Sequence, residues 1–232
     1  MINGLMENIY IKKAIDEFKE RGVLVFENDN TRFYEVKKTY DFEDNTKHII
    51  TDYESNNVGS KTDIFVTSRN PLPGDPIMNL VSKYIWIGHA GMVIDDEGKT
   101  TIEITGNSSN NTVSIYNNTW LTDSIDSTKE IALLRLKDID KEKEDKIIDY
   151  LHSKIGYSYN YSFFFNRSKS FYCTDLMSRA AKSADVDINY DYLATTGADI
   201  FASNATYLVY YREKVFVDGE VKFNVYYLGK EN

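Results

Sequence analysis

Chemistry in this chain has few places to happen. Cys173 is the single cysteine, and only His48, His89 and His152 offer an imidazole that titrates near neutral pH. Cys173 stands where an irregular aromatic stretch gives way to CTDLMSRAAKSA, a helical pattern with Leu176, Met177, Ala180, Ala181 and Ala184 on one face. Sulfur at a helix start meets backbone N–H groups and the positive end of the helix dipole, both of which favour a thiolate. Against this, a lone cysteine is most often a small buried hydrophobe, and Asp175 would oppose a thiolate if its carboxylate turned the same way.

His89 interrupts the apolar run IWIGHAGMVI, and Gly88, Ala90 and Gly91 leave room beside its ring. Glu103 follows on the next strand. The connecting residues Asp96, Glu97 and Gly98 predict a three-residue hairpin loop with Gly98 left-handed, which pairs Gly91 with Glu103. His89 and Glu103 then share a face as diagonal neighbours, roughly 7 Å apart at the backbone. A one-residue slip would separate them. His48, beside Lys47, and His152, on a charged helix, read as surface residues. Cys173, His89 and Glu103 are the parts of a Cys-His-acid triad. The same three side chains can bind zinc, the rival reading; the triad is preferred, with no metal and no cofactor expected.

The elements that must position these residues follow from periodicity. Ile11, Ala14, Ile15 and Phe18 predict an amphipathic helix from Met6 to Arg21, stopped by Gly22, and Val23–Phe26 predicts a short strand. Residues 28–60 read as polar and irregular, so residues 1–60 are expected to form an N-terminal extension that packs on the main body or covers a cleft. The main domain, 61–232, opens with the strand DIFVTS and a Pro/Gly loop, Asn70–Pro76. A covered strand is expected over Tyr84–Ile94 and a half-polar one over Lys99–Thr105. Next come an Asn-rich loop (Gly106–Asn118), a strand (Ile131–Leu136) and a helix (Asp140–Ile155) ending at Gly156. After the aromatic stretch Tyr157–Phe171 and the cysteine helix, two strands turn at Asp218–Gly219.

Composition narrows the function. The 232 residues carry 27 Lys and Arg against 36 Asp and Glu, a net charge of −9 that gives no general attraction to nucleic acid. No run approaches the roughly 18 apolar residues that span a bilayer, and the start, MINGLMENIYIKK, lacks a signal-peptide core. The expectation is a soluble protein whose location is open, cell-envelope association included. One cysteine excludes internal disulfides and multi-cysteine metal sites.

GHAGMVID, TIEITG, a Val-containing loop ending in TWL, GYSYN, FYCTDLMSRA and ADIFASNATYLVYY together resemble the circularly permuted papain-fold amidases of the YiiX/YaeF type, distant relatives of NlpC-type cell-wall hydrolases. The likeness spans about residues 61–210 and shares their order of histidine, acid, cysteine. It implies an α+β fold with an antiparallel sheet packed against the cysteine helix. It also implies a cysteine peptidase or amidase with Cys173 as nucleophile, His89 as base and Glu103 as its partner. Tyr159, after Gly156, falls on the family's G-x-x-Y tyrosine, with an oxyanion or substrate role. Thr174-Asp175 departs from the Ser-Glu that follows the cysteine in many members. Small peptides and acyl amides are the implied substrates. An acyltransferase similar to the lecithin:retinol acyltransferase group is the alternative, although its N-C-E-H-F-V stretch is absent, as is a binding module whose triad has lapsed.

Overall fold

The computed structural model describes residues 2–50, 53, 57–68, 86, 88–106, 111–121, 130–162, 168–189 and 194–230. The Pro/Gly loop at 70–76, much of the apolar run before His89, the centre of the Asn-rich loop and residues 163–167 of the aromatic stretch lie outside them.

Helix α1 (Ile2–Glu20) buries Ile11, Ile15 and Phe18, the face its spacing predicts. Strands β1 (Gly22–Glu27) and β2 (Thr31–Val36) follow as an antiparallel hairpin. The chain continues through β3 (Ile64–Thr67), β4 (Ala90–Val93), β5 (Thr100–Glu103), β6 (Ser114–Asn117), β7 (Glu130–Leu136) and α2 (Lys141–His152). Then come β8 (Ser158–Tyr159), β9 (Ser170–Phe171), α3 (Cys173–Lys182), α4 (Gly197–Ala202), β10 (Thr206–Val217) and β11 (Glu220–Leu228). Helix α2 is capped by Asp140, whose side chain accepts from the Lys143 N–H at 2.9 Å, and it ends earlier than the expected Ile155.

Among the described residues one large sheet runs β1-β2-β11-β10-β7-β3-β4-β5-β6, and β8 and β9 form a small parallel pair. The expected all-antiparallel sheet is corrected: β2 and β11 pair in parallel, so the sheet is mixed. The reason lies in two local turns. Asp218 and Gly219 have φ of 53° and 86°, the left-handed pair of a tight hairpin turn, and this sets the direction of β11 against β10. The β1–β2 hairpin sets the direction of β2, which docks on β11 already running the same way. β2 itself falls in the stretch read as irregular.

The core forms where α3 lies against β4 and α2, and where α1 lies against β10 and α4. Leu176, Met177 and Ala180 of α3 are buried, as are Ala90, Met92, Ile64 and Leu134 of the sheet. A buried arginine, ion-paired within this body, also ties the first sixty residues to it. Arg135 of β7 donates to both carboxylate oxygens of Asp63, at 2.8 and 2.7 Å, and to the carbonyls of Asp44 and His48.

Candidate active site

The hairpin that carries two of the candidate residues is fixed by its loop. Gly98 adopts φ 69°, and the Asp95 carboxylate accepts from the backbone N–H groups of Glu97, Lys99 and Thr100. The resulting register pairs Gly91 with Glu103, as the loop predicts. His89 does not lie inside the strand as expected; it immediately precedes β4. Its N–H donates to Thr67 Oγ1 at 3.0 Å and its carbonyl accepts from the Thr67 N–H at 3.1 Å, which fixes its backbone to β3.

Freed from the strand's pleat, the imidazole meets Glu103: Nε2 and Oε2 are 2.8 Å apart. The other carboxylate oxygen is held from two sides, accepting from Thr101 Oγ1 at 2.6 Å and from Trp120 Nε1 at 2.6 Å. The Trp120 ring also stacks on His89, with centroids 5.2 Å apart and planes 4° from parallel, and on Phe65 at 4.9 Å. Gly91 makes the room. A Cβ there would stand 2.7 Å from Glu103 Cγ and 3.1 Å from the Trp120 ring.

Cys173 is the first residue of α3 and is partly exposed. The N-cap residue, Tyr172, makes no side-chain cap hydrogen bond. His89 and the backbone N–H groups of Ala90 and Thr174 all act on the sulfur to favour its charged form. With Nε2 committed to Glu103, Nδ1 is the ring nitrogen left for the thiol.

The charges follow from these contacts. Burial pushes the Cys173 thiol up, but the hydrogen bond and charge of His89 and the two N–H donors outweigh it and bring it below its ordinary value. Burial disfavours the charged form of His89, yet Cys173 and Glu103 together hold it up at about 10. Glu103 is pushed up by burial and pulled down further by His89, Thr101 and Trp120, ending below the usual carboxylate range. The contacts therefore favour the charged forms of all three groups: Cys173 and Glu103 are shifted down and His89 is shifted up.

Asp175 does not oppose this thiolate directly. Its Oδ1 accepts from Arg179 Nε at 2.7 Å, one helical turn along α3, and burial raises its carboxyl above the ordinary value. Thr174, the other departure from the Ser-Glu pattern, donates to the Thr195 carbonyl at 2.6 Å. Tyr159 lies on β8, paired with Phe171 just before the cysteine helix, and its ring covers Gly106. Burial, then the charge of Cys173, raises its hydroxyl above the ordinary value, so it stays protonated and able to donate. His48 bonds the Asn57 carbonyl at 3.1 Å and His152 is exposed at the end of α2; neither joins the cluster.

Sequence reasoning missed Trp120 and Thr101. Thr101 was within reach of it, since it shares the polar stripe of β5 with Glu103; Trp120 stands in the TWL of a later loop, where nothing local ties it to Glu103. Among the described residues no three His, Cys, Asp or Glu side chains are grouped to hold a metal ion.

Cys173 opens a helix, His89 stands at the mouth of a strand, and the chain order is histidine, carboxylate, cysteine, the order of the permuted papain-like class. The family model described as permuted papain-like amidase enzyme, YaeF/YiiX, C92 family, matches residues 64–219, and the chain belongs to that family. It is accordingly a cysteine peptidase or amidase, a hydrolase. No curated protein matches the sequence. Among solved structures, one titled as the metalloprotein yiiX from Escherichia coli O157:H7 is similar at 13% identity, covering 65% of this chain and 96% of its own, with a TM-score of 0.48. No described helix is long and apolar enough to cross a membrane.

Proposed function

We propose that Cys173, His89 and Glu103 are the catalytic triad of an amide hydrolase that passes through a thioester on sulfur. The observation that carries this is the His89–Glu103 pair, Nε2 to Oε2 at 2.8 Å, with His89 also favouring the charged form of Cys173. The Cys173 thiolate attacks the amide carbonyl carbon, and the oxyanion forms where the first N–H groups of α3 and the Tyr159 hydroxyl can donate. The C–N bond breaks as His89 Nδ1 gives its proton to the departing amine. A water then loses a proton to the same nitrogen and attacks the thioester, releasing the acid and regenerating the thiolate. Glu103 keeps Nε2 protonated throughout, so that Nδ1 is the nitrogen that moves the proton.

In this reading residues 61–232 are the catalytic unit and residues 1–60 an extension built onto it, through β1 and β2 at the sheet edge and through the Arg135 contacts. The substrates proposed are small peptides or N-acyl amino acids, cell-wall peptides among them, with envelope association following from the latter. Phe171 is buried and Tyr157 packs against it, so that part of the aromatic stretch is core; Tyr161 is exposed.

The test is intact-protein mass spectrometry after incubation with a panel of peptides and acyl amides. One acyl adduct on the parent, absent from Cys173→Ala, is the expected result. An adduct of equal yield on the alanine variant would remove Cys173 as nucleophile.

A further inference from the structure

We infer that Trp120, anchored from behind by the buried Arg212, is the positioning residue that holds the His89 ring and the Glu103 carboxylate in their working orientation; this rests on the triad proposed above.

Three contacts make Trp120 a clamp and not merely a neighbour. Its indole N–H donates to Glu103 Oε1 at 2.6 Å, its ring lies parallel on His89, and its other face is backed by Phe65. An indole N–H donates and never accepts, so this bond fixes which carboxylate oxygen faces Trp120 and leaves Oε2 for the imidazole. Stacking fixes the remaining freedom, rotation of the imidazole plane about its bond to the backbone. One side chain therefore constrains both partners of the His89–Glu103 hydrogen bond, and the missing side chain of Gly91 leaves space for it.

Trp120 lies on a loop, which needs an anchor. The next residue supplies one: the Leu121 carbonyl accepts from Arg212 Nη1 at 2.6 Å. Arg212, on β10, is 3% exposed and rests over the Phe223 ring at 4.9 Å. Among the described residues its Nε and Nη2 have no hydrogen-bond partner and no carboxylate pairs with it. A buried guanidinium so placed is costly to hold, and an apolar residue of similar size is commonly neutral or stabilising. The bond that Arg212 makes among the described residues runs to the chain segment that carries Trp120 and accounts for an arginine there.

The test reads the alkylation rate of the single cysteine by iodoacetamide against pH, which needs no substrate, in the parent and in Trp120→Phe, Arg212→Met and His89→Ala, each with its melting temperature. Phe keeps a ring for stacking and removes the donor. With the carboxylate no longer held, His89 loses part of its partner, and the alkaline limb of the profile is expected to move down by about one pH unit. Arg212→Met is expected to move it the same way by less, with a melting temperature no lower than the parent's, a combination that a purely structural arginine would not give. Parent-like profiles in both variants would overturn the inference. If His89→Ala also left the profile unchanged, the triad itself would be at fault; if it abolished the neutral-pH plateau while the other two kept it, only the clamp would fall. Should Trp120→Phe not fold, the two tryptophans of the unaltered protein give the answer by nitrogen-15 NMR. One indole N–H resonance is expected to shift in step with the alkaline limb, and two that stay constant would contradict the clamp.

Discussion

Replacing Glu103 by Gln exchanges one carboxylate oxygen for an NH₂ group and should disable the enzyme, for a reason set by Trp120. Glu103 accepts three hydrogen bonds, one from His89 on Oε2 and two from Thr101 and Trp120 on Oε1. A glutamine has one accepting oxygen and one donating NH₂. Since the indole can only donate, the amide oxygen must face Trp120, and the NH₂ is left against His89 Nε2. That nitrogen must then accept, so the ring proton moves to Nδ1 and points at the sulfur it should deprotonate. The elevation of His89 from 6.5 to about 10 corresponds to about 5 kcal/mol of imidazolium stabilisation, of which Glu103 supplies a share. A wrong-tautomer substitution in an analogous triad costs about 10⁴ in kcat; for Glu103→Gln a fall of about 10³ to 10⁴ is expected, with KM little changed. Without a substrate, the alkylation rate of Cys173 at pH 7 reports the same event, because a thiol returned to its ordinary value is only about 3% ionised and should react about 30-fold more slowly. Adding Trp120→Phe removes the donor that fixes the amide, letting the oxygen turn to His89, and should recover about tenfold over the glutamine variant alone. A glutamine variant within about threefold of the parent in both assays would refute the reasoning.

Other outcomes test separate parts of the account. Arg135→Met leaves Asp63 buried without its cation and frees the Asp44 and His48 carbonyls, and should cost about 3 to 5 kcal/mol of stability in urea unfolding; a loss below about 1 kcal/mol would show that Arg135 does not hold this junction together. Tyr159→Phe removes one oxyanion donor and should lower kcat by about 10² to 10³ without raising KM; unchanged kcat would return Tyr159 to the core. Gly91→Ala places a methyl group 2.7 Å from Glu103 Cγ, so kcat should fall with a small change in melting temperature, and full activity would show that Glu103 has another orientation in which to work.

Much of the site was legible because its decisive geometry is local. The loop Asp96-Glu97-Gly98 sets the register of β4 and β5, which brings Glu103 opposite Gly91, two residues from His89. The start of α3 at Cys173 followed from the apolar face of CTDLMSRAAKSA. What was not legible depends on distant partners. β2 buries only Phe33 and Val36 and owes its place to β11 at the far end of the chain, so no alternation marked it. The run before His89 looked like continuous strand because both faces are apolar, whereas Trp86 has a left-handed φ of 47° and β4 begins only at Ala90. Trp120 and Arg212 touch through Leu121 across sequence positions that no pattern connects.

The central claim is that Cys173 is a thiolate at neutral pH because His89 carries the proton, and the rate of its alkylation against pH measures this directly. The parent should show a plateau that begins below the ordinary thiol range and ends near pH 10, where the imidazolium is lost, while His89→Ala should show a single rise in or above the ordinary thiol range of about 8.5. A parent profile that rises only there, indistinguishable from that of the histidine variant, would contradict the account.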